Sequence, residues 1–184
     1  MKKKISIISP CLNEIATIEK CISNISELFL NLKNYDYEHI IVDNGSKDGS
    51  REIIEKLALT DKNIKVIFNT RTFDPFKSLF NTFKYASGDG IVLCYSSDLE
   101  DPIEIIEKFI LEWEKGYKVV YGKRTKRKDQ NYIKKKVRNL FYFFTQQILK
   151  VTFQKDVNEF MLIDKQVHTE LIKIDDHFPY IRGL

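Results

Sequence analysis

The 184-residue sequence is poor in cysteine, glycine and proline, and it has no long hydrophobic run. Its three cysteines are an odd number without a Cys-x-x-Cys pair, which argues against a disulfide scaffold or a structural zinc site and fits a reducing cytoplasm. Seven glycines and four prolines are too few for a collagen-like or disordered chain. No apolar run reaches the roughly 20 residues that a membrane-spanning helix needs. The basic start is soon followed by Pro10, so residues 1–8 predict a first strand rather than a signal peptide.

The charge of the chain is unevenly distributed. Residues 123–138 contain nine Lys or Arg and one acid, a local charge of +8, which leaves −4 for the rest of a chain whose total is +4. A basic segment on a slightly acidic body favours an anionic partner: a phosphate, a lipid headgroup or a nucleic-acid backbone. Because no recognised nucleic-acid-binding motif accompanies the segment, we do not expect a nucleic acid as partner.

Apolar runs alternate with segments of helical spacing along the chain. The apolar runs predict six strands, at residues 5–9, 38–42, 64–68, 91–95, 119–121 and 160–163. The periodic segments predict helices at residues 18–29, 51–59, 76–86, 102–110, 133–151 and 165–173. This order predicts a single α/β domain, residues 1–184, in which a mostly parallel sheet is flanked by helices.

Polar loops follow three of the predicted strands. Residues 10–14 follow the first strand, Asp43 follows the second, and residues 96–101 follow the fourth. In a parallel sheet, ligands bind beyond the carboxyl ends of the strands. We therefore expect these three loops to form one site at that edge of the sheet.

The loop after the fourth strand carries the most specific chemistry. The segment Asp98-Leu99-Glu100-Asp101 places three carboxylates within four residues, where they repel one another. A bound Mg²⁺ or Mn²⁺ would relieve this repulsion, and such ions take oxygen ligands together with water and substrate phosphates. The alternative is that Glu100 and Asp101 only favour the amino end of the following helix through its dipole.

The segment from Asp43 to Gly49 has two interpretations. It is either a turn that leads into a helix N-cap, or it supplies a carboxylate that hydrogen-bonds to a nucleobase or a ribose. The sequence contains neither Gly-x-Gly-x-x-Gly nor Gly-x-x-x-x-Gly-Lys-Ser/Thr, so a dinucleotide site and a P-loop lose their main support. The three histidines lack metal-binding spacing, and we interpret them as structural or surface residues.

Four segments, taken in order, resemble a family 2 glycosyltransferase with the GT-A fold. They lie at residues 7–14, 42–50, 87–89 and 97–102, and the resemblance runs from residue 4 to residue 184. It points in particular to the polyprenyl-phosphate and dolichol-phosphate glycosyltransferases, including the bactoprenol glucosyltransferase type. The resemblance implies a Rossmann-like nucleotide-sugar half at residues 1–122 and an acceptor half at residues 123–184, which in such relatives continues into membrane segments.

The activity that the resemblance implies is the inverting transfer of a hexose from a UDP- or GDP-linked sugar to a polyprenyl phosphate, with Mg²⁺ or Mn²⁺ as cofactor. Such an enzyme would work in the cytoplasm at the inner face of the cell membrane, in the synthesis of cell-envelope polysaccharides. The helix predicted at residues 133–151 fits docking to an anionic membrane surface through its lysines at residues 134–136, while its aromatic middle would pack on the sheet.

The resemblance also assigns roles to donor-site residues. Those that would line the nucleotide-sugar pocket are Pro10, Leu12, Glu14, Asp43, Ser97 and Asp98. Asp43 would contact the base. Asp98 matches the second aspartate of the family's Asp-x-Asp motif, which contacts the metal and the diphosphate. Glu100 would be the other metal ligand, and the implied catalytic residues are Asp98, Glu100 and Glu159.

A second set of residues is assigned to the acceptor. Arg124 and Arg138 match the spacing of two arginines that hold the acceptor phosphate in the lipid-phosphate branch. Glu159 takes the place of an acidic residue near the acceptor. A phosphate acceptor needs little help from a general base, since its second pKa is about 6. A sugar hydroxyl would need a base, and Glu159 is the candidate for it.

The sequence departs from the family pattern at several positions. Ser96 replaces the first aspartate of the Asp-x-Asp motif, Asp74 stands where a glycine is usual, and Met161 stands where an arginine is common. These departures keep one alternative open, a relative that binds the sugar nucleotide without transferring the sugar. A nucleotidyltransferase fits less well, because residues 9–13 lack the glycine-rich phosphate loop of that class.

Overall fold

The computed structural model describes residues 2–123 and 157–174. Within those residues the chain forms six strands and five helices. In chain order they are β1 (Lys3–Cys11), α1 (Ile18–Asn31), β2 (Tyr35–Asp43), α2 (Ser50–Thr60), β3 (Ile64–Phe68), α3 (Pro75–Phe83), β4 (Gly90–Leu93), α4 (Glu104–Glu114), β5 (Val119–Lys123), β6 (Val157–Asp164) and α5 (Lys165–Leu171). The helix predicted at residues 133–151 lies outside the described residues, as do Arg124 and Arg138.

The six strands form one sheet with the order β3-β2-β1-β4-β6-β5. β1 pairs in parallel with β2 and β4, and β2 pairs in parallel with β3. β6 runs antiparallel to both β4 and β5. The predicted mostly parallel α/β sheet is therefore confirmed. The fourth predicted helix begins later than expected, at Glu104, so Pro102 precedes it instead of occupying its first turn.

Helices cover both faces of the sheet. On one face, Phe29 of α1 and Trp113 of α4 belong to the same apolar cluster as Ile7 of β1. On the other face, Phe83 of α3 packs with Ile8, and α5 lies against the same cluster. Neighbouring residues of β1 are thus fully buried on opposite faces, which is why its sequence is a continuous apolar run. Among residues 2–123 and 157–174, no helix has both the length and the apolar character of a membrane span.

A buried carboxylate, Glu38 of β2, joins the amino ends of the strands. Its side chain is 2% exposed and lies 2.7 Å from Lys4 Nζ and 2.6 Å from Lys65 Nζ. It also accepts hydrogen bonds from Ser6 Oγ at 2.6 Å and from the Ser87 N–H at 2.7 Å. These five residues, which we call the Glu38 cluster, link β1, β2, β3 and the turn before β4.

The turn at residues 87–89 packs against this cluster. The Gly88 N–H donates to Ser6 Oγ at 2.8 Å, and Asp89 Oδ2 accepts from the Lys4 N–H at 2.9 Å. A Cβ added to Gly88 would lie 2.7 Å from the backbone nitrogen of Ser6, so there is room only for a glycine. One of the four segments that resemble the family therefore has a structural role at the amino end of the sheet, away from the loops that follow the strands.

Candidate functional site

The loops after β1, β2 and β4 meet at the carboxyl edge of the sheet. Ser97 Oγ donates to the carbonyl oxygen of Pro10 at 2.8 Å, which joins the loop after β4 to the end of β1. The Asn44 N–H donates to the carbonyl oxygen of Cys11 at 2.9 Å, which joins the loop after β2 to the same strand end. The three polar loops thus come together as the sequence predicts.

Side chains of the loop after β2 hold the loop after β1 in place. Ser46 Oγ accepts from the Asn13 N–H at 2.9 Å, and Ser50 Oγ accepts from the Glu14 N–H at 2.9 Å. In return, Asn13 Oδ1 accepts from the Lys47 N–H at 2.9 Å. Asn13 itself has a φ of 57°. The serines of this segment therefore build the site's framework, and the backbone at Glu14 is fixed by them.

Asp43 is fully buried at the end of β2. Its Oδ1 accepts from the Ser46 N–H at 3.1 Å, and its Oδ2 lies 3.4 Å from the same nitrogen. The Ser50 N–H donates to Asp48 Oδ1 at 3.0 Å, the spacing of an Asx turn, so the segment does form a turn before α2. The N-cap of α2 is Gly49, with a φ of 99°, rather than a polar side chain. A contact between Asp43 and a nucleobase stays a prediction.

The loop after β4 has an unusual backbone. Cys94 has a φ of 58° and Leu99 a φ of 62°, values that are uncommon for residues with a side chain. Strained residues of this kind cluster at active sites and ligand-binding loops. Asp98 is exposed between them, and its Oδ1 accepts from the Glu100 N–H at 2.9 Å. The chain thus turns around the Asp98 carboxylate and presents it at the edge of the sheet.

The acids of this loop do not occupy the first turn of α4. Glu104 and Glu107 are the acidic residues there, while Glu100 and Asp101 lie before the helix begins. The helix dipole acts mainly within the first turn. A favourable dipole therefore explains Glu104 and Glu107 better than it explains Glu100 and Asp101.

Two pKa values at this edge are raised, by burial first and by nearby negative charge in addition. Partial burial, and then the charge of Asp98, raise the pKa of Glu14. Burial raises the pKa of the Cys94 thiol to about 12, and the charges of Glu159, Asp101 and Asp98 add to the effect. Carboxylates from the loops after β1 and β4 and from β6 therefore act on one region. Their mutual repulsion would be relieved by a bound cation.

The carboxylates fit one kind of metal site and not another. Within residues 2–123 and 157–174, no group of three or more His, Cys, Asp or Glu side chains could by itself hold a metal ion. Mg²⁺ and Mn²⁺ instead bind through one or two carboxylates, water and the phosphates of a substrate. Asp98 suits that role, because it is exposed and its Oδ2 accepts no hydrogen bond from the described residues.

A fourth loop, residues 69–74 between β3 and α3, reaches the same edge, where the sequence predicts only three loops. The Asn69 N–H donates to the carbonyl oxygen of Asp43 at 2.9 Å. Asp74 is the N-cap of α3, and its Oδ1 accepts from the backbone N–H groups of Phe76 at 3.0 Å and Lys77 at 3.3 Å. Its φ of −53° does not require glycine. An aspartate before Pro75 is a capping signal that the sequence already contained.

β6 carries two residues of interest. Met161 is 7% exposed and packs with Ile8 and Leu93 in the core, so it fills an apolar position. Glu159 is half-buried two residues earlier, and its charge acts on Cys94 just beyond the end of β4. The predicted site residues found at this edge of the sheet are Pro10, Leu12, Glu14, Asp43, Ser97, Asp98, Glu100 and Glu159.

Comparison with known proteins adds to these observations. Residues 6–172 match the family described as Glycosyl transferase family 2. The chain is 34% identical to the uncharacterized glycosyltransferase YkcC of Bacillus subtilis (strain 168), over 97% of this chain and 55% of that protein. It is 30% identical to the bactoprenol glucosyl transferase of Shigella phage SfV, over 98% of this chain and 58% of that protein. The chain thus spans little more than half the length of the curated relatives it matches.

Solved structures share the fold. The mannosyltransferase PcManGT from Pyrobaculum calidifontis, in complex with GDP-Man and Mn²⁺, superposes with a TM-score of 0.61 at 18% identity, covering 93% of this chain and 47% of that one. Glucosyl-3-phosphoglycerate synthase from Mycobacterium tuberculosis, in complex with Mn²⁺, UDP-Glc and phosphoglyceric acid, superposes with a TM-score of 0.62 at 22% identity, covering 90% of this chain and 58% of that one. The predicted GT-A fold is therefore confirmed.

Proposed function

Because the chain belongs to glycosyl transferase family 2, we propose that it transfers a sugar from a nucleotide-diphosphate sugar to a polyprenyl phosphate. One observation supports the proposal most. The hydrogen bond from Ser97 to Pro10 joins the loop of Asp98 to the end of β1, where the loops of Glu14 and Asp43 also meet. Carboxylates beyond the strand ends of an α/β sheet suit a diphosphate that arrives with a divalent ion. The bactoprenol glucosyl transferase among the relatives supports the lipid-phosphate acceptor.

The donor is assigned to the carboxyl edge of the sheet. The residues that would hold its nucleotide are Pro10, Leu12, Glu14, Asp43 and Ser97. Asp98 and Glu100 would hold Mg²⁺ or Mn²⁺, which when bound neutralises charge on the departing diphosphate. The Mn²⁺ in two solved structures of the same fold supports this cofactor.

The acceptor needs cations more than it needs a base. The oxygen of a phosphate monoester is largely anionic at neutral pH, since its second pKa is about 6, so it can attack the sugar without prior proton removal. Arg124 and Arg138 would hold this phosphate against an anionic donor through bidentate contacts. Attack from the face opposite the diphosphate gives inversion. The assignment of both arginines rests on the sequence, because they lie outside the described residues.

The two substrates together imply where the protein works. A nucleotide sugar is soluble in water, whereas a polyprenyl phosphate is confined to the membrane, so they meet only at the membrane surface. We place the protein at the inner face of the cell membrane, where cytoplasmic nucleotide sugars are present. The lysines at residues 134–136 would favour an anionic surface of this kind.

Two alternatives to this function differ in their support. The first is a relative that binds the donor without transferring the sugar, and it rests on Ser96, Asp74 and Met161. Asp74 caps α3 and Met161 fills the core, so two of these departures have structural explanations. The second alternative, transfer to a sugar hydroxyl, is better supported than the first. It needs a base, and Glu159 is a carboxylate whose charge acts on Cys94, as the charge of Asp98 does.

The variant Glu159→Gln separates the two acceptors. We expect transfer to polyprenyl phosphate to change by less than about threefold, since a phosphate oxygen needs no general base. Rates are measured at saturating donor, and donor affinity is measured alongside to show that binding is intact. A loss of roughly 100-fold or more with donor affinity unchanged would identify Glu159 as a base and would contradict unassisted attack by an anionic phosphate.

The donor site is tested by calorimetric titration of the whole chain. UDP, GDP and their sugar conjugates are each titrated with Mn²⁺ present and again with EDTA, and ATP serves as a control nucleotide. We expect either UDP or GDP to bind, and the sugar conjugate of the same nucleotide to bind as well. Both affinities should fall when the metal is removed. Failure of every nucleotide to bind a folded protein in the presence of Mn²⁺ would contradict the proposed function.

A further inference from the structure

A buried carboxamide, that of Asn44, ties the loop after β2 to the loop at residues 69–74. Asn44 is 5% exposed. Its Nδ2 donates to the carbonyl oxygen of Phe73 at 2.9 Å, and its Oδ1 accepts from the Phe73 N–H at 3.0 Å. One side chain therefore holds both backbone groups of a residue that lies 29 positions away in the sequence.

Asn69 adds to the contacts of Asn44, and the two side chains together form a clamp on the loop at residues 69–74. Asn69 Nδ2 donates to Asn44 Oδ1 at 2.9 Å and to Ser78 Oγ of α3 at 2.8 Å. Its backbone N–H donates to the carbonyl oxygen of Asp43 at 2.9 Å. The loop at residues 69–74 is thus fixed to the end of β2 at one side and to α3 at the other.

The clamped loop stands directly beside donor-site residues. Asn44 follows Asp43 and precedes Gly45, where an added Cβ would lie 3.1 Å from the backbone nitrogen of Thr72. The loop also carries Arg71, an exposed cation whose Cζ lies 4.7 Å from the centre of the Phe73 ring. A cationic side chain is thereby held at an edge where carboxylates prevail.

We propose that Asn44 is a positioning residue of the nucleotide-sugar site, which holds residues 69–74 as one wall of that site. This inference rests on the proposed function, because it presumes that a nucleotide sugar binds at this edge. The physical reason is preorganisation: a wall that is already ordered loses less conformational freedom when the ligand binds. The carboxamide suits the task because it offers a donor and an acceptor at once to the two backbone groups of Phe73.

The test compares nucleotide affinity with stability in matched variants. In Asn44→Ala we expect the dissociation constant for the nucleotide that the wild type binds with Mn²⁺ to rise roughly tenfold or more. Asn44→Asp keeps an oxygen for the Phe73 N–H and for Asn69 but sets a carboxylate oxygen against the Phe73 carbonyl oxygen, so we expect it to lose affinity as well. Ser6→Ala is the control, because it removes buried hydrogen bonds at the opposite end of the sheet. It should lower the urea midpoint and leave the affinity unchanged.

The outcomes separate this inference from the proposed function. If the wild type binds a nucleotide and Asn44→Ala lowers only the urea midpoint, as Ser6→Ala does, Asn44 is merely structural and the inference is overturned. If the wild type binds no nucleotide, the proposed function fails and the inference fails with it. If Asn44→Ala does not fold, Asn69→Ala decides, since it removes one side of the clamp and keeps the contacts to Phe73. An affinity loss supports the inference, and an unchanged affinity overturns it.

Discussion

Replacing Asp98 with asparagine is expected to slow sugar transfer by roughly 100-fold or more at saturating donor, with the fold unchanged. Asparagine keeps an oxygen that can accept from the Glu100 N–H, which lies 2.9 Å from Asp98 Oδ1 in the wild type. Because Asp98 is exposed, the exchange buries no polar group and opens no cavity. What is lost is the negative charge that we propose holds the divalent ion, and with it the neutralisation of the leaving diphosphate.

The measurement follows release of the nucleoside diphosphate in the presence of polyprenyl phosphate, over a range of Mn²⁺ concentrations. Asp98→Asn should require far more Mn²⁺ for nucleotide binding than the wild type does. Asp36→Asn is the matched control, because Asp36 is exposed near the amino end of β2, at the far end of the sheet. A transfer rate for Asp98→Asn within about threefold of the wild type would remove Asp98 from the mechanism.

The same variant has a second readout that does not depend on turnover. The charge of Asp98 is, after burial, the largest cause that raises the pKa of Glu14. Removing that charge should therefore lower the pKa of Glu14, which an NMR titration of its carboxyl group would report. An unchanged pKa would mean that the two carboxylates do not share one region in solution.

Much of the fold follows from patterns that are local in the sequence. Continuous apolar runs mark strands that are buried on both faces, and helical spacing marks the elements between them. The ends are harder to predict, because they depend on single backbone conformations. β4 ends at Leu93, earlier than the apolar run predicts, since Cys94 takes a φ of 58° that no strand can continue.

The candidate site was predictable where chemistry is concentrated in one segment, as in the loop that contains Asp98. It was not predictable where a residue acts on a distant part of the chain. Asn44 belongs to a segment that the sequence marks as a turn, yet its side chain holds Phe73, 29 residues away. The turn at residues 87–89 shows the opposite case. It is one of the four segments that resemble the family, but it packs against the Glu38 cluster at the other end of the sheet.

Replacing Glu38 with glutamine is expected to lower the free energy of unfolding at pH 7 by about 3 kcal/mol. The carboxylate is buried, and its two lysine partners, Lys4 and Lys65, lie at 2.7 and 2.6 Å. Glutamine fills the same space but leaves both lysines without their anionic partner. It also weakens the acceptor for Ser6 Oγ and for the Ser87 N–H. Urea unfolding followed by circular dichroism measures the loss.

An exposed ion pair between β1 and α4 provides the control. Glu114 lies 2.9 Å from Lys3 Nζ, but its side chain is 36% exposed and that of Lys3 is 51% exposed. Solvent screens such a pair, so Glu114→Gln should cost about 0.5 kcal/mol. If Glu38→Gln cost no more than this control, the Glu38 cluster would not be the element that fastens the amino ends of the strands.

The stability of the wild type and that of Glu38→Gln should also respond differently to acid. Burial alone would raise the pKa of Glu38, but hydrogen bonds from Lys4, Lys65 and Ser6 lower it from 4.5 to about 2. Since the folded pKa lies below the unfolded one, this stabilisation is complete above pH 4.5 and is lost as the pH falls towards 2. Burial lowers the pKa of His39 from 6.5 to about 3, so the unfolded chain gains a proton below pH 6.5 that the folded chain does not take up.

Between pH 6.5 and 4.5, Glu38→Gln should therefore lose stability as the wild type does, because this loss is caused by protonation of His39 in the unfolded chain. Below pH 4.5 its stability should fall less steeply than that of the wild type, by up to about 1.4 kcal/mol per pH unit. Stability is measured by urea unfolding at half-unit pH steps, because a single acid midpoint would merge the two groups. Equal slopes below pH 4.5 in both proteins would mean that the carboxylate of Glu38 titrates in the folded state with an ordinary pKa, and that the two lysines do not stabilise its charge.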